Sequence, residues 1–130
     1  MVLVDSSIWI DFLSHKTSKI GNELELIIRP ANQTVITGII FQEVLRGIKN
    51  KKSFSLLEKL LGNLPFIYPD IHTHLKAAEL FQNLSSKGMH CSTVDMLISA
   101  LAIQHKFSVF TLDSDFERIS AVTGLKLHGA

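Results

Sequence analysis

Cysteine is almost missing. One residue in 130, Cys91, excludes an internal disulfide and is what a reduced, cytoplasmic chain would carry; its thiol is expected to be buried and inert. Long hydrophobic runs are missing too. No stretch approaches the 18 consecutive apolar residues of a membrane helix, and the chain reaches Asp5 with no basic segment ahead of an apolar one, so neither a membrane span nor a signal peptide is expected. There is no repeat, linker or low-complexity segment. Charge of one sign is lacking as well: Lys and Arg number 13 against 12 Asp and Glu, a net charge of +1. That excludes a strongly basic nucleic-acid clamp. It leaves room for an acidic site whose divalent cations present themselves to phosphate. The six histidines, His15, His72, His74, His90, His105 and His128, have no metal-ligand spacing beyond His72-x-His74. On a helix those two point about 200° apart, since successive residues turn by the 3.6 period, so they read as surface residues.

What is present is enough for a core. With 46% hydrophobic and 19% charged residues, residues 1–130 are expected to form one domain that buries about two-thirds of its unfolded surface. Val2-Leu3-Val4 is the short apolar run of a strand buried on both faces. It ends on Asp5, and Ser6 or Ser7 opens a helix with Ile8, Trp9, Phe12 and Leu13 inward. Leu24, Leu26, Ile27 and Ile28 suggest a second helix stopped by Pro30. Thr34 to Thr37 reads as a strand, Ile39 to Leu45 as a helix closed by Gly47. The basic stretch Lys49 to Lys52 precedes a helix beginning near Ser53, with Leu56, Leu57, Leu60 and Leu61 as its apolar face and Gly62-Asn63 as its end. Leu64 to Tyr68 reads as a short strand. Pro69-Asp70 opens a helix with Leu75, Ala78, Phe81 and Leu84 inward, finished by Lys87-Gly88. After the stretch described next come a helical turn, Gly124 and a final Leu125-Lys126-Leu127. Strands alternating with helices predict an α/β fold, a sandwich with a mainly parallel central sheet.

The chain is organised around Thr93 to Phe116. Val94, Leu97, Ile98, Leu101 and Ala102 recur at helical spacing and make one buried stripe, with Asp95 on its flank beside the small Ser99. Phe107 to Thr111 then reads as a strand. A helix over 93–105 is about 18 Å long, and a five-residue strand returns about 17 Å. Asp95 therefore ends near Asp113 and Asp115, at the carboxyl edge of the sheet where α/β folds bind ligands. Asp5 follows the first strand to the same edge. Glu43, about 8 Å down its helix, can lean back toward it. Asp5, Glu43, Asp95 and Asp113, with Asp115 in reserve, thus form a ring of carboxylates. Hard oxygen ligands without Cys or His suit Mg²⁺ or Mn²⁺, ions that activate water and neutralise charge on a phosphodiester.

Each acid alone has a plainer reading. Asp5 can cap a helix, Glu43 can be solvated, Asp95 satisfies the helix dipole, and Asp113 or Asp115 can cap the helix through Phe116. Separate caps have no reason to converge on one edge. Ser6, Thr37, Thr93 and Thr111 are either donors that orient the carboxylates or ordinary caps. Lys49, Lys51 and Lys52 read as a solvated turn, whereas Arg46, a turn beyond Glu43, is the better phosphate contact.

Four blocks in order, VLVDSSIWIDFL, ITGIIFQEVLRG, STVDMLISALA and FTLDSDFERI, resemble the motifs of PIN-domain proteins, especially the VapC toxins of toxin–antitoxin pairs. The resemblance spans nearly the whole chain and implies a three-layer α/β/α sandwich. It implies a Mg²⁺- or Mn²⁺-dependent endoribonuclease toxin whose metal ligands fall on Asp5, Glu43, Asp95 and Asp113, with Asp115 additional or substitute. It further implies an RNA substrate, a homodimer and inhibition by a cognate antitoxin. Leu112 departs from the family, which often carries Asn or Asp there, so the fourth ligand stays open between Asp113 and Asp115. Two other classes are weighed. A receiver or phosphoryl-transfer domain would want a second acid near Asp5, where Ser6 and Ser7 stand. A non-catalytic PIN-like binding domain has no use for the intact acid set.

Overall fold

Val2, Leu3 and Val4 are all buried, as a strand with helices on both sides must be, and the other elements are placed around them. The computed structural model describes residues 1–14, 19–28 and 33–129; His15 and Pro30 lie outside them. The elements run β1 (Val2–Val4), α1 (Ser6–Ser14), α2 (Lys19–Ile28), β2 (Thr34–Val35), α3 (Gly38–Arg46), α4 (Lys51–Gly62), α5 (Ile71–Ser86), α6 (Thr93–His105), β3 (Ser108–Phe110), α7 (Ser114–Val122) and β4 (Lys126–Leu127). The sheet has the order β2-β1-β3-β4, and every pairing in it is parallel, with Leu3 opposite both Val35 and Val109, and Val109 opposite Leu127. From β1 the chain crosses one way to β2, then back over β1 to β3. Right-handed crossovers in opposite directions lay helices on both faces, which is the three-layer arrangement.

This topology positions the site. Val4 pairs with Phe110, so the next residues along, Asp5 and Thr111, leave the sheet side by side at its carboxyl edge; the Asp5 N–H donates to the Phe110 carbonyl at 2.9 Å. Helix α6 returns the chain to β3 through Lys106, which sits in the left-handed region (φ 60) while the Phe107 N–H closes onto the Ala102 carbonyl at 2.9 Å. Met96, Ile98, Ser99, Ala100, Leu101 and Ala102 are buried, so α6 is inward over a wider arc than the expected stripe.

Several expectations need correction. Leu64 to Tyr68 is not a strand but a single parallel bridge, Ile36 to Phe66; Pro65 lacks the N–H that a longer ladder would use. Helix α4 starts at Lys51 because Asn50 caps it, accepting from the Ser53 N–H, two residues earlier than Ser53. Its inner line is Leu57 and Leu61, and Leu56 and Leu60 are exposed. In α5 only Leu84 of the expected stripe is buried, whereas Leu75 (58%) and Phe81 (45%) face outward. Leu26 is likewise exposed. Cys91 is only partly buried, and burial raises its thiol pKa, with the Arg118 charge pulling the other way. Gly47 closes α3 in a right-handed conformation (φ −87), so no glycine-specific geometry is used there.

Candidate active site

Three aspartates meet at the carboxyl edge. Asp95, Asp113 and Asp115 each bring a carboxylate oxygen within 4.8 Å of the other two. Local sequence sets each of them. Ser92 caps α6, its Oγ accepting the Asp95 N–H at 3.0 Å, which puts Asp95 in the first turn. Asp113 caps α7, accepting the Asp115 N–H at 2.9 Å. Asp115 in turn receives the Arg118 guanidinium at 2.6 Å, a pair about half exposed. The capping role foreseen for Asp113 or Asp115 thus belongs to Asp113, and it does not remove either acid from the cluster.

The electrostatics of Asp95 report the crowding. Its pKa is raised from 3.8 to about 6, first by burial and then by the Asp113 charge, with smaller contributions from Asp5 and Asp115, while the Ser92 hydrogen bond lowers it. A carboxyl at a helix N-terminus should be easier to ionise, so neighbouring acids and desolvation outweigh the helix here.

Asp5 adjoins the trio and is held differently. It is 6% exposed, and its Oδ2 accepts from the hydroxyls of Ser7 at 2.9 Å and Thr111 at 2.9 Å. The same hydroxyls fasten the next loop: the Leu112 N–H donates to Ser7 Oγ at 3.0 Å and the Asp113 N–H to Thr111 Oγ1 at 3.0 Å. Asp5 and the loop carrying Asp113 are therefore one hydrogen-bonded unit. Among the four hydroxyls weighed as orienting donors, Thr111 touches an acid. Thr37 precedes α3 without a side-chain cap bond and its Oγ1, like Ser99 Oγ, is buried with no hydrogen-bond partner. Ser7 was read only as a cap; the D-x-S spacing from Asp5 is the signal that could have revealed its second role. Glu43 is half-buried on α3 and stands outside the group of three, as does Asp5. His72, His74, His90 and His105 are exposed, as are Lys49, Lys51, Lys52 and Arg46.

Comparison with known proteins bears on the family and the fold. The profile of the family described as PIN domain matches residues 2–122. The chain belongs to the PIN-domain family. Among PIN-domain relatives, it is 28% identical over 129 residues to ribonuclease VapC11 of Mycobacterium tuberculosis, covering 97% of this chain and 96% of that protein. It is 32% identical over 101 residues to ribonuclease VapC1 of Rickettsia felis, covering 69% and 73%. Its fold matches a chain of the VapBC2 structure from Rickettsia felis, bound to a DNA fragment from their promoter, with a TM-score of 0.80 at 23% identity over 98% of each chain. A chain of DNA-bound VapBC from Salmonella typhimurium matches with a TM-score of 0.80 at 20% identity, covering 98% of this chain and 96% of that one. Membership of this family sets the receiver or phosphoryl-transfer alternative aside. No helix among the described residues is long and apolar enough to cross a membrane.

The donor set fits a hard divalent cation. The trio offers oxygen atoms alone, the ligand type Mg²⁺ and Mn²⁺ select, and a cation would offset the acid charges that add to burial in raising the Asp95 pKa.

Proposed function

We propose that the chain is a Mg²⁺- or Mn²⁺-dependent endoribonuclease, the toxin of a toxin–antitoxin pair. The observation that carries the reading is the convergence of Asp95, Asp113 and Asp115 within 4.8 Å beside Asp5, in a PIN domain whose relatives are ribonucleases. Asp95, Asp113 and Asp115 hold the cation, and Asp5 and Glu43 supply further carboxylates. When bound, such an ion supplies an activated water and neutralises charge at the scissile phosphodiester. The chain's own groups supply the rest. Ser7 and Thr111 fix the Asp5 carboxylate and the backbone of Leu112 and Asp113, so two ligand-bearing strand ends keep one spacing. Arg118 occupies one Asp115 oxygen and limits repulsion in the trio, and Arg46 contacts the RNA backbone.

Residues 1–130 act as one catalytic domain in the cytoplasm. The solved neighbours are VapBC complexes, which supports a cognate antitoxin as partner. The apolar residues Tyr68, Ile71, Leu75 and Phe81, on α5 or just before it, are exposed, which supports a homodimer and an antitoxin contact.

The test is cleavage of a mixed RNA substrate. Wild type cuts it with Mg²⁺ or Mn²⁺, stops in excess EDTA and resumes when metal is restored, while Asp5→Asn does not cut and remains folded. Cleavage that survives EDTA or Asp5→Asn overturns the metallonuclease reading, and a folded wild type that binds RNA without cutting it points to a non-catalytic PIN-like binding domain.

A further inference from the structure

A cavity of about 280 Å³ shares Asp113 with the acidic trio, and Thr111, Glu117, His128 and Gly129 also line it. The volume lies just under the roughly 300–1,000 Å³ of small-molecule sites, enough for one nucleoside and too small for a longer segment. Glu117 is one turn past Asp113 on α7, about 5.4 Å along the axis and on the same helix face. It is exposed and makes no ion pair among the described residues. His128 is held from two sides: its N–H donates to the Val109 carbonyl at 2.9 Å, and its ring lies against Phe110 with centroids 4.8 Å apart. Gly129 takes the left-handed conformation (φ +83), and a Cβ there would meet nothing within 4 Å, so the rim is open to solvent.

The chemistry of this wall selects its occupant. No Lys or Arg lines the cavity, and two carboxylates do, so a phosphate is repelled from it. A flat group that donates hydrogen bonds is accepted. Histidine held on an aromatic ring is a stacking surface for an unpaired base, and a carboxylate takes two parallel N–H donors at once. Guanine presents such a pair on its Watson–Crick edge, N1–H and the N2 amino group. Cytosine and adenine present one amino group there, and uracil one N–H between two carbonyls.

We propose that this cavity is a base-recognition subsite that receives guanine from the nucleotide next to the scissile phosphate, with Glu117 reading its Watson–Crick edge and His128 stacking on it. The proposal rests on the ribonuclease reading above. Its test is cleavage of short RNA oligonucleotides randomised around the cut, with the bases flanking each cut counted for wild type, Glu117→Gln and His128→Ala, and folding checked by thermal melting. Wild type should favour guanine beside the cut. In Glu117→Gln that preference should fall by about 10-fold, as loss of a bidentate base contact predicts, while cutting at other bases stays within about twofold of wild type. His128→Ala should raise KM more than it lowers kcat. A guanine preference unchanged in Glu117→Gln, a uniform loss across all bases, or a wild-type preference for another base overturns the subsite and leaves the ribonuclease reading standing. Wild type that cuts nothing overturns both.

Discussion

Asp70 and Asp95 both stand at the start of a helix, and their protonation equilibria move in opposite directions. Asp70 caps α5 in a reciprocal box with Thr73, accepting the Thr73 N–H at 2.9 Å while its own N–H donates to Thr73 Oγ1 at 3.1 Å. The Thr73 N–H and the Thr73 hydroxyl, which donates to the same oxygen at 3.0 Å, hold its pKa below 3.8. Gln104 of α6 adds an amide contact to the same carboxylate at 3.4 Å. Asp95 has one serine bond and three acidic neighbours, and its pKa rises to about 6. A helix start explains the first acid completely. The second stands against that preference, and what overrides it is burial first and then the charges of Asp113, Asp5 and Asp115. An acid kept where folding alone disfavours it is the mark of a site.

The comparison breaks first if the two acids behave alike in catalysis. Asp95→Asn should lower RNA cleavage by more than the roughly 100-fold that loss of an outer partner costs, whereas Asp70→Asn should leave it within about twofold. Single-turnover cleavage with Mn²⁺ measures both, and equal losses would remove the distinction. Thr111→Val, which takes the hydroxyl from Asp5 and from the Asp113 N–H, should fall between, at about 10–100-fold.

Stability sharpens it further. Mn²⁺ at about 100 times its dissociation constant should stabilise wild type by about 2.7 kcal/mol, read as a rise in Tm that is retained in Asp70→Asn and lost in Asp95→Asn. The pH dependence separates the pair by sign. Asp95 binds its proton more tightly folded than unfolded, so its contribution is present below pH 3.8 and is lost as pH rises through about 6. Metal-free wild type should therefore lose Tm across that window, and Asp95→Asn should flatten the loss. Asp70 contributes above 3.8 and loses its contribution as pH falls through its lowered value. The smallest effect is that of Asp70→Ala, a slight loss of Tm from the lost cap, in thermal melts with no change in metal response.

How far the residues alone lead differs between these regions. The chain from Val2 to Asp5 and the helix Thr93–His105 with its return strand are legible, because an all-apolar triplet and a sustained helical period each admit few folds. The meeting of Asp95 with Asp113 and Asp115 follows from lengths alone. Whether Asp70 or Asp95 is crowded does not, since both are acids at helix starts and only the parallel register beside Val4 and Phe110 brings Asp5 alongside. Amphipathic spacing also misplaced Leu75, Ala78 and Phe81, which are exposed on α5. Periodicity identifies an apolar face, and nothing local says whether the chain itself or another molecule covers it. Both Asp113 and Asp115 lie in the trio, and the bonds that distinguish them, to the α7 backbone and to Arg118, come from the turn that Leu112 begins.

The most direct measurement is calorimetric titration of Mn²⁺ into the metal-free protein at pH 6 in buffers of different ionisation heat, which counts protons released on binding. With Asp95 half protonated near that pH, wild type should release about half a proton per ion bound, the release should vanish by about pH 8, and Asp95→Asn should release almost none. Binding without proton release in wild type at pH 6, or no binding at all, would contradict the assignment of Asp95 and its neighbours as the cation site.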